Sequence, residues 1–97
     1  MFARITTTRA RPDQVDAAVR GFRERLLPEA QKQKGFKGTL FLVDRKSGNT
    51  LGITLWESEA DMKASEERAT RLHGHAFQDL AISGAPTVNH FEVAEHI

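Results

Sequence analysis

The stretch GFKGTLFLVDRKSGNTLGITLWESEADM, Gly35 to Met62, decides the fold. Two apolar runs, Thr39 to Asp44 and Thr50 to Trp56, flank the turn-rich Lys46-Ser47-Gly48-Asn49. Strand formers on either side of Gly and Asn predict a β-hairpin. Directly after the second strand, Ser58 is placed to accept a backbone N–H of a first helical turn, with Asp61 three residues on to answer it. This is a capping-box pattern and predicts a helix start. Within the hairpin, Leu40 and Leu42 alternate with Phe41 and Val43, while Leu51, Ile53 and Leu55 alternate with Gly52, Thr54 and Trp56. Successive side chains point to opposite faces of a strand, so both faces of this hairpin are apolar. One helical layer covers only one of them, and the other requires a further partner.

Upstream, Phe2 to Thr8 alternates Phe2, Arg4 and Thr6 with Ala3, Ile5 and Thr7, which predicts a first strand. Pro12 then presets a helical φ, and Asp13 and Asp16 favour the positive end of a helix dipole. Val15, Ala18, Val19, Phe22 and Leu26 fall at spacings of three and four and form one apolar stripe, so this helix lies on a sheet. Pro28 removes a backbone donor and predicts a kink or break, followed by a short helical piece to Lys34 that the left-handed Gly35 terminates. Downstream, Met62, Ser65 and Ala69 continue the helix after the cap, and Leu72, Ala76, Phe77 and Leu80 carry a further segment weakened by Gly74. Ser83-Gly84-Ala85-Pro86 reads as a helix stop signal, and Thr87 to Glu95 as a last strand. The order is βαββαβ, an α+β, ferredoxin-like arrangement with an antiparallel sheet.

At 97 residues, 1–97 is expected to make one domain with a thin core. A hydrophobic share of 39%, a charged share of 28% and a net charge of +1 indicate neither disorder nor an electrostatic footprint for nucleic acid. There are no cysteines, which removes disulfides, thiolate metal sites, iron–sulfur clusters and a cysteine nucleophile together. The opening MFARITT has no signal-peptide pattern, and no run approaches the ~18 apolar residues of a membrane span. A cytoplasmic protein without membrane or nucleic-acid partners is expected.

The residues LLPEAQKQKGFKG, the hairpin LFLVDRKSGNTLGITLWES and the following EADM resemble the antibiotic biosynthesis monooxygenase family of dimeric α/β barrels, with LWESEADM the most specific part. The resemblance implies a homodimer whose two sheets pack face to face. It assigns Leu51, Ile53 and Leu55 to the dimer side. Thr54 and Trp56 then fall beneath the helices, where the family keeps its substrate cavity. Trp56, Met62, Phe22, Phe77 and His75 are the implied lining residues. The implied reaction is cofactor-independent oxygenation of an aromatic, quinol or polyketide-like substrate, with no metal.

Trp56 is the sole Trp. Its indole suits stacking on a polycyclic ligand, and equally suits filling the gap between helix and strand. Some family oxygenases place an Asn four residues before this Trp, where this chain has Gly52, a departure that also leaves room in the cavity. Haem-degrading relatives carry an iron-ligating His near the place of His75, nineteen residues after Trp56. They pair it with a second Trp, which at equal spacing falls on Ser65, and with an Asn where this chain has Thr6 and Thr7. On an ideal helix His73 and His75 point about 200° apart and do not share one pocket; a surface or capping role is the plainer reading. His90 on the last strand is a candidate base towards an acidic phenol, or simply an exposed side chain. Two functional classes therefore stand beside each other: an oxygenase, and a non-catalytic dimer that holds a small apolar or aromatic molecule. A haem-binding relative is a third.

Overall fold

A computed structural model describes residues 1–66 and 82–97, with side chains placed for 1–66 and 87–97. Strand β1 is Phe2–Ala10, β2 Phe36–Val43, β3 Asn49–Trp56 and β4 Ile82–Glu92. All three pairings are antiparallel and the spatial order is β2-β3-β1-β4. Between β1 and β2 run a 3₁₀ turn Pro12–Gln14, helix α1 Val15–Gly21, a π-helical turn Phe22–Leu26 and helix α2 Leu27–Gln31. After β3, residues 59–66 are helical and form α3. The expected ferredoxin-like α+β arrangement is the one observed. The anticipated segment with Leu72, Gly74, Ala76, Phe77 and Leu80 lies outside the described residues, as do Ala69, His73 and His75.

The hairpin turn is closed by Asp44. Its backbone N–H donates to Asn49 O at 2.8 Å and its O accepts Gly48 N–H at 2.8 Å, while its Oδ1 accepts Lys46 N–H at 2.9 Å. Gly48 has φ +82 and packs its Cα against the carbonyl oxygen of Ala10, where a Cβ would collide. Gly38 follows a bulge at Lys37, because Phe36 pairs with Trp56 and Gly38 already with Leu55. At the foot of α3, Asp61 N–H donates to Ser58 Oγ at 3.1 Å, which is the cap read from the sequence. Gly35 has the expected left-handed φ, +81, and its carbonyl accepts Glu57 N–H at 2.8 Å.

The interruption expected at Pro28 is a change of helix type: the Leu27 N–H reaches Phe22 O in a π turn, and Pro28 enters the first turn of the short α2, which ends at Gln31 rather than Lys34. A proline lacks the N–H for an i−4 bond and crowds that carbonyl, and the wider π turn just before it accommodates both demands. Ser83-Gly84-Ala85-Pro86 is not a helix stop but part of β4, which starts at Ile82 and ends at Glu92 rather than Glu95. The missing donor of Pro86 is tolerated because β4 is an edge strand and its register with β1 shifts between Thr7 and Arg9, the place Pro86 occupies.

The core is thin, as the length demands. One buried cluster, Ala10, Val15 and Ala18 with Val19 and Val43 against it, fastens α1 to the sheet. Trp56 on β3 and Met62 on α3 are buried as well. The other sheet face keeps Leu40 and Leu42 largely exposed, at 54% and 47%, with Phe91 at 52%. Cross-strand partners Ile53 and Leu51 share that face, as the alternation predicts.

Candidate functional site

Register places the side chains beneath the helices in three transverse rows. Trp56, Phe2 and Glu92 align across β3, β1 and β4; Thr54, Arg4 and His90 form the next row; Gly52, Thr6 and Val88 the third. On β2 the same face continues through Phe36, Thr39 and Phe41. Residues two apart on a strand share a face, so these rows form one continuous floor.

Among the described residues, the floor around Gly52 is open: a Cβ there would meet the Phe41 ring edge at 3.8 Å and the Thr6 carbonyl oxygen at 4.0 Å. Thr6, Thr54, Phe41 and Phe22 are only half-buried although they face the helices. Phe22, carried on the π turn, stacks on Phe41 with ring centroids 4.5 Å apart and planes 14° from parallel, which makes one aromatic wall.

The opposite end is tightly filled. Trp56 is fully buried, its ring edge-on to Phe36 at 5.7 Å, and its indole N–H donates to Thr54 Oγ1 at 3.0 Å. Met62 of α3 is buried with it. Above the ring stands Arg4, its guanidinium carbon 5.5 Å from the indole centroid, and only 6% of the residue is exposed. Arg4 Nη1 donates to Ser65 Oγ at 2.9 Å and to Met62 O at 3.4 Å. Burial pushes the guanidinium below the usual arginine value, and the field of Glu66 raises it in part; an arginine stays charged throughout. Glu66 Oε1 in turn lies 2.9 Å from His90 Nε2, on the exposed rim.

Of the anticipated lining residues, Trp56 and Met62 are both buried and both touch Arg4, through the indole ring and the Met62 carbonyl, and Phe22 lies across the floor on the aromatic wall. Phe77 and His75 lie outside the described residues. The indole presents no free face and no free N–H, so its place is in the packing that supports Arg4. Among the described residues, no three His, Cys, Asp or Glu side chains converge on a metal position. Arg4 was not singled out by sequence reading, although its alternation with Phe2 and Thr6 was visible. Ser65 is buried against the Arg4 guanidinium.

Comparison with known proteins fits this geometry. The family model for antibiotic biosynthesis monooxygenases matches residues 1–77. The chain belongs to that family. Two uncharacterised Mycobacterium tuberculosis proteins, Rv2558 and Rv2557, are 33% and 31% identical to it over 94 residues. These matches cover 97% of the chain but only 39% and 41% of the relatives, so the chain spans about two fifths of their length. Among solved structures, the Streptomyces coelicolor monooxygenase from the gene ActVA-Orf6, in complex with nanaomycin D, superposes with TM-score 0.80 at 15% identity over 99% of this chain and 89% of its own. The M. tuberculosis haem degrader MhuD, with two haems bound in its active site, gives TM-score 0.79 at 18% identity over 100% of this chain and 99% of its own. At such identities the likeness establishes the fold.

Proposed function

We propose that the protein is a homodimeric, cofactor-independent monooxygenase whose substrate is an aromatic, quinol or polyketide-like molecule bound between sheet and helices. The observation that carries this reading is the open floor around Gly52, bordered by the Phe22–Phe41 stack on one side and by polar Thr6 and Thr54 on the other. A flat apolar molecule with an ionisable oxygen matches that border: rings against rings, oxygen towards hydroxyls. Family membership supports the same reaction class.

In such a reaction the substrate is its own reductant. The deprotonated substrate passes electrons to O₂, an oxygen–carbon bond forms, and loss of water from the resulting peroxide leaves a quinone. One atom of O₂ enters the product and the other leaves as water. The protein's share is to hold the anion, stabilise its charge and exclude bulk water. Purified protein incubated with menadiol, dihydroxyaromatic compounds or an anthrone tests the proposal by oxygen uptake. The expected result for the anthrone is one O₂ consumed per quinone formed, with one labelled atom from ¹⁸O₂ in the product. No uptake above the buffer rate with any of them overturns it.

A second reading, a ligand-holding dimer without catalysis, is favoured by one observation. His90, the basic side chain in the Arg4 row, lies on the exposed rim with Glu66 rather than over the floor. Saturable binding of an aromatic compound without oxygen uptake is its signature. A Soret-shifted haem complex lost in His75→Ala marks the haem-binding alternative.

A further inference from the structure

Arg4 is a buried charge whose hydrogen-bond partners among the described residues are neutral. Both of its hydrogen bonds leave from Nη1, to the neutral oxygens of Ser65 and Met62. A guanidinium carries five donors, and those on Nε and Nη2 lie outside this pair of bonds. No side-chain nitrogen among the described residues is both fully buried and without a partner, so these donors border accessible space. Trp56 closes one side of the group and α3 closes the top. Among the described residues, Thr54 lies directly opposite Arg4 on β3, and Thr6 is next along β1 on the same face. Thr54 Oγ1 accepts the indole N–H of Trp56, which leaves its own O–H free to donate in the same direction.

We propose that Arg4 is the anion-binding residue of this cleft and that it selects ligands carrying an aromatic oxyanion, the charged oxygen placed between the guanidinium and the Thr54 hydroxyl. This deepens the oxygenase reading and rests on the same space being the ligand site. The chemistry is complementary on both parts of such a ligand. A planar guanidinium pairs with an oxyanion through charge-assisted hydrogen bonds that strengthen where water is excluded. The attached ring extends over Gly52, where the floor has no side chain, towards the Phe22–Phe41 stack. Among the described residues, Glu66 is the carboxylate whose field reaches Arg4, and its Oε1 lies 2.9 Å from His90 Nε2 on the rim. The indole beneath Arg4 holds the guanidinium in position without offering a competing anion.

The test is a pair of isosteric probes, 2-naphthoate and the neutral 2-naphthamide, titrated calorimetrically into the full chain at neutral pH. Wild-type protein is expected to prefer the anion by roughly tenfold, the worth of one charge-assisted hydrogen bond. Arg4→Gln should abolish the preference and Arg4→Lys should restore part of it, with thermal melts showing that each variant is folded. If Arg4→Gln does not fold, the wild-type preference and its reduction in Arg4→Lys decide the matter. Equal affinity for the two probes in wild type, binding of neither, or an unchanged preference in Arg4→Gln overturns the proposal. Oxygen uptake is read separately. Charge-selective binding without turnover keeps Arg4 as the anion site and removes only the oxygenase reading, while turnover in Arg4→Gln with a KM no higher than wild type removes Arg4 alone.

Discussion

A Cβ added to Gly35 would run into the carboxylate of Asp61, on a backbone already at φ +81. Gly35→Ala therefore combines a left-handed penalty with a displaced side chain at the foot of α3, and urea unfolding should show a loss of about 1–3 kcal/mol. Gly52 is the opposite case. It stands in a strand with ordinary van der Waals room for a methyl group, so Gly52→Ala should raise stability by about 0.4–1 kcal/mol through the unfolded chain. The same methyl group intrudes on the open floor, and naphthoate affinity should fall while the melting temperature rises. A fall in both would mean that Gly52 is a structural glycine and not the bed of a ligand. At this scale Trp56 and Met62 were legible as buried side chains, because large apolar groups near a strand end and on a helix stripe have few places to go. Arg4 was not, since an arginine in a strand ordinarily points to water. What places it inside is the register with β3, where it faces Thr54 beside Trp56, and register is a property of pairing that a single strand does not display.

The hairpin turn offers a test at the scale of an element. Asp44 is fully exposed, yet the backbone N–H groups of Lys46 and then Ser47 hold its carboxyl below the usual aspartate value. A depressed folded-state value means that the ionised form stabilises the fold. That contribution is complete above the unfolded value near 3.8 and disappears as the pH falls through the folded one. Asp44→Asn should accordingly lower the melting temperature at pH 7 and make little difference at pH 2, and an equal loss at both would remove the charged turn from the account. The hairpin, the Ser58 cap, α1 and the strand order were legible because each is written in local chemistry: Gly at a turn, Ser before a helix, spacings of three and four. The two prolines differ. Local rules place an interruption at Pro28, and a π turn falls just before it; they assign Pro86 to a stop, but the edge-strand bulge is a tertiary remedy that lets β4 continue through it.

At the scale of the whole molecule, the described helices lie on one face of the sheet. Leu40, Leu42 and Phe91 stand largely exposed on the other face beside Leu51, Ile53 and Ile5, a continuous apolar surface across all four strands. Isolated apolar side chains on a surface are ordinary, but a connected sheet face of this kind marks an interface. A second copy of the chain is the partner the family resemblance implies, and two such faces are self-complementary about a two-fold axis. Light scattering should then give twice the chain mass, with a melting temperature that rises with protein concentration. Leu40→Glu places a carboxylate where the chain alone exposes it to water but the dimer would bury it, and the axis introduces the change twice. Removing charges from water without partners costs several kcal/mol each, so the dimer should dissociate at least about a hundredfold more readily. Because Leu40 lies on the face away from Arg4 and Gly52, monomeric Leu40→Glu protein also separates the roles of the two faces. If it keeps the preference for naphthoate, the anion site is complete within one chain. If it loses that preference while remaining folded, the covered face is needed to hold the floor of the cleft in shape. A wild-type chain that stays monomeric at high concentration would leave the apolar face without this partner and end the dimer argument.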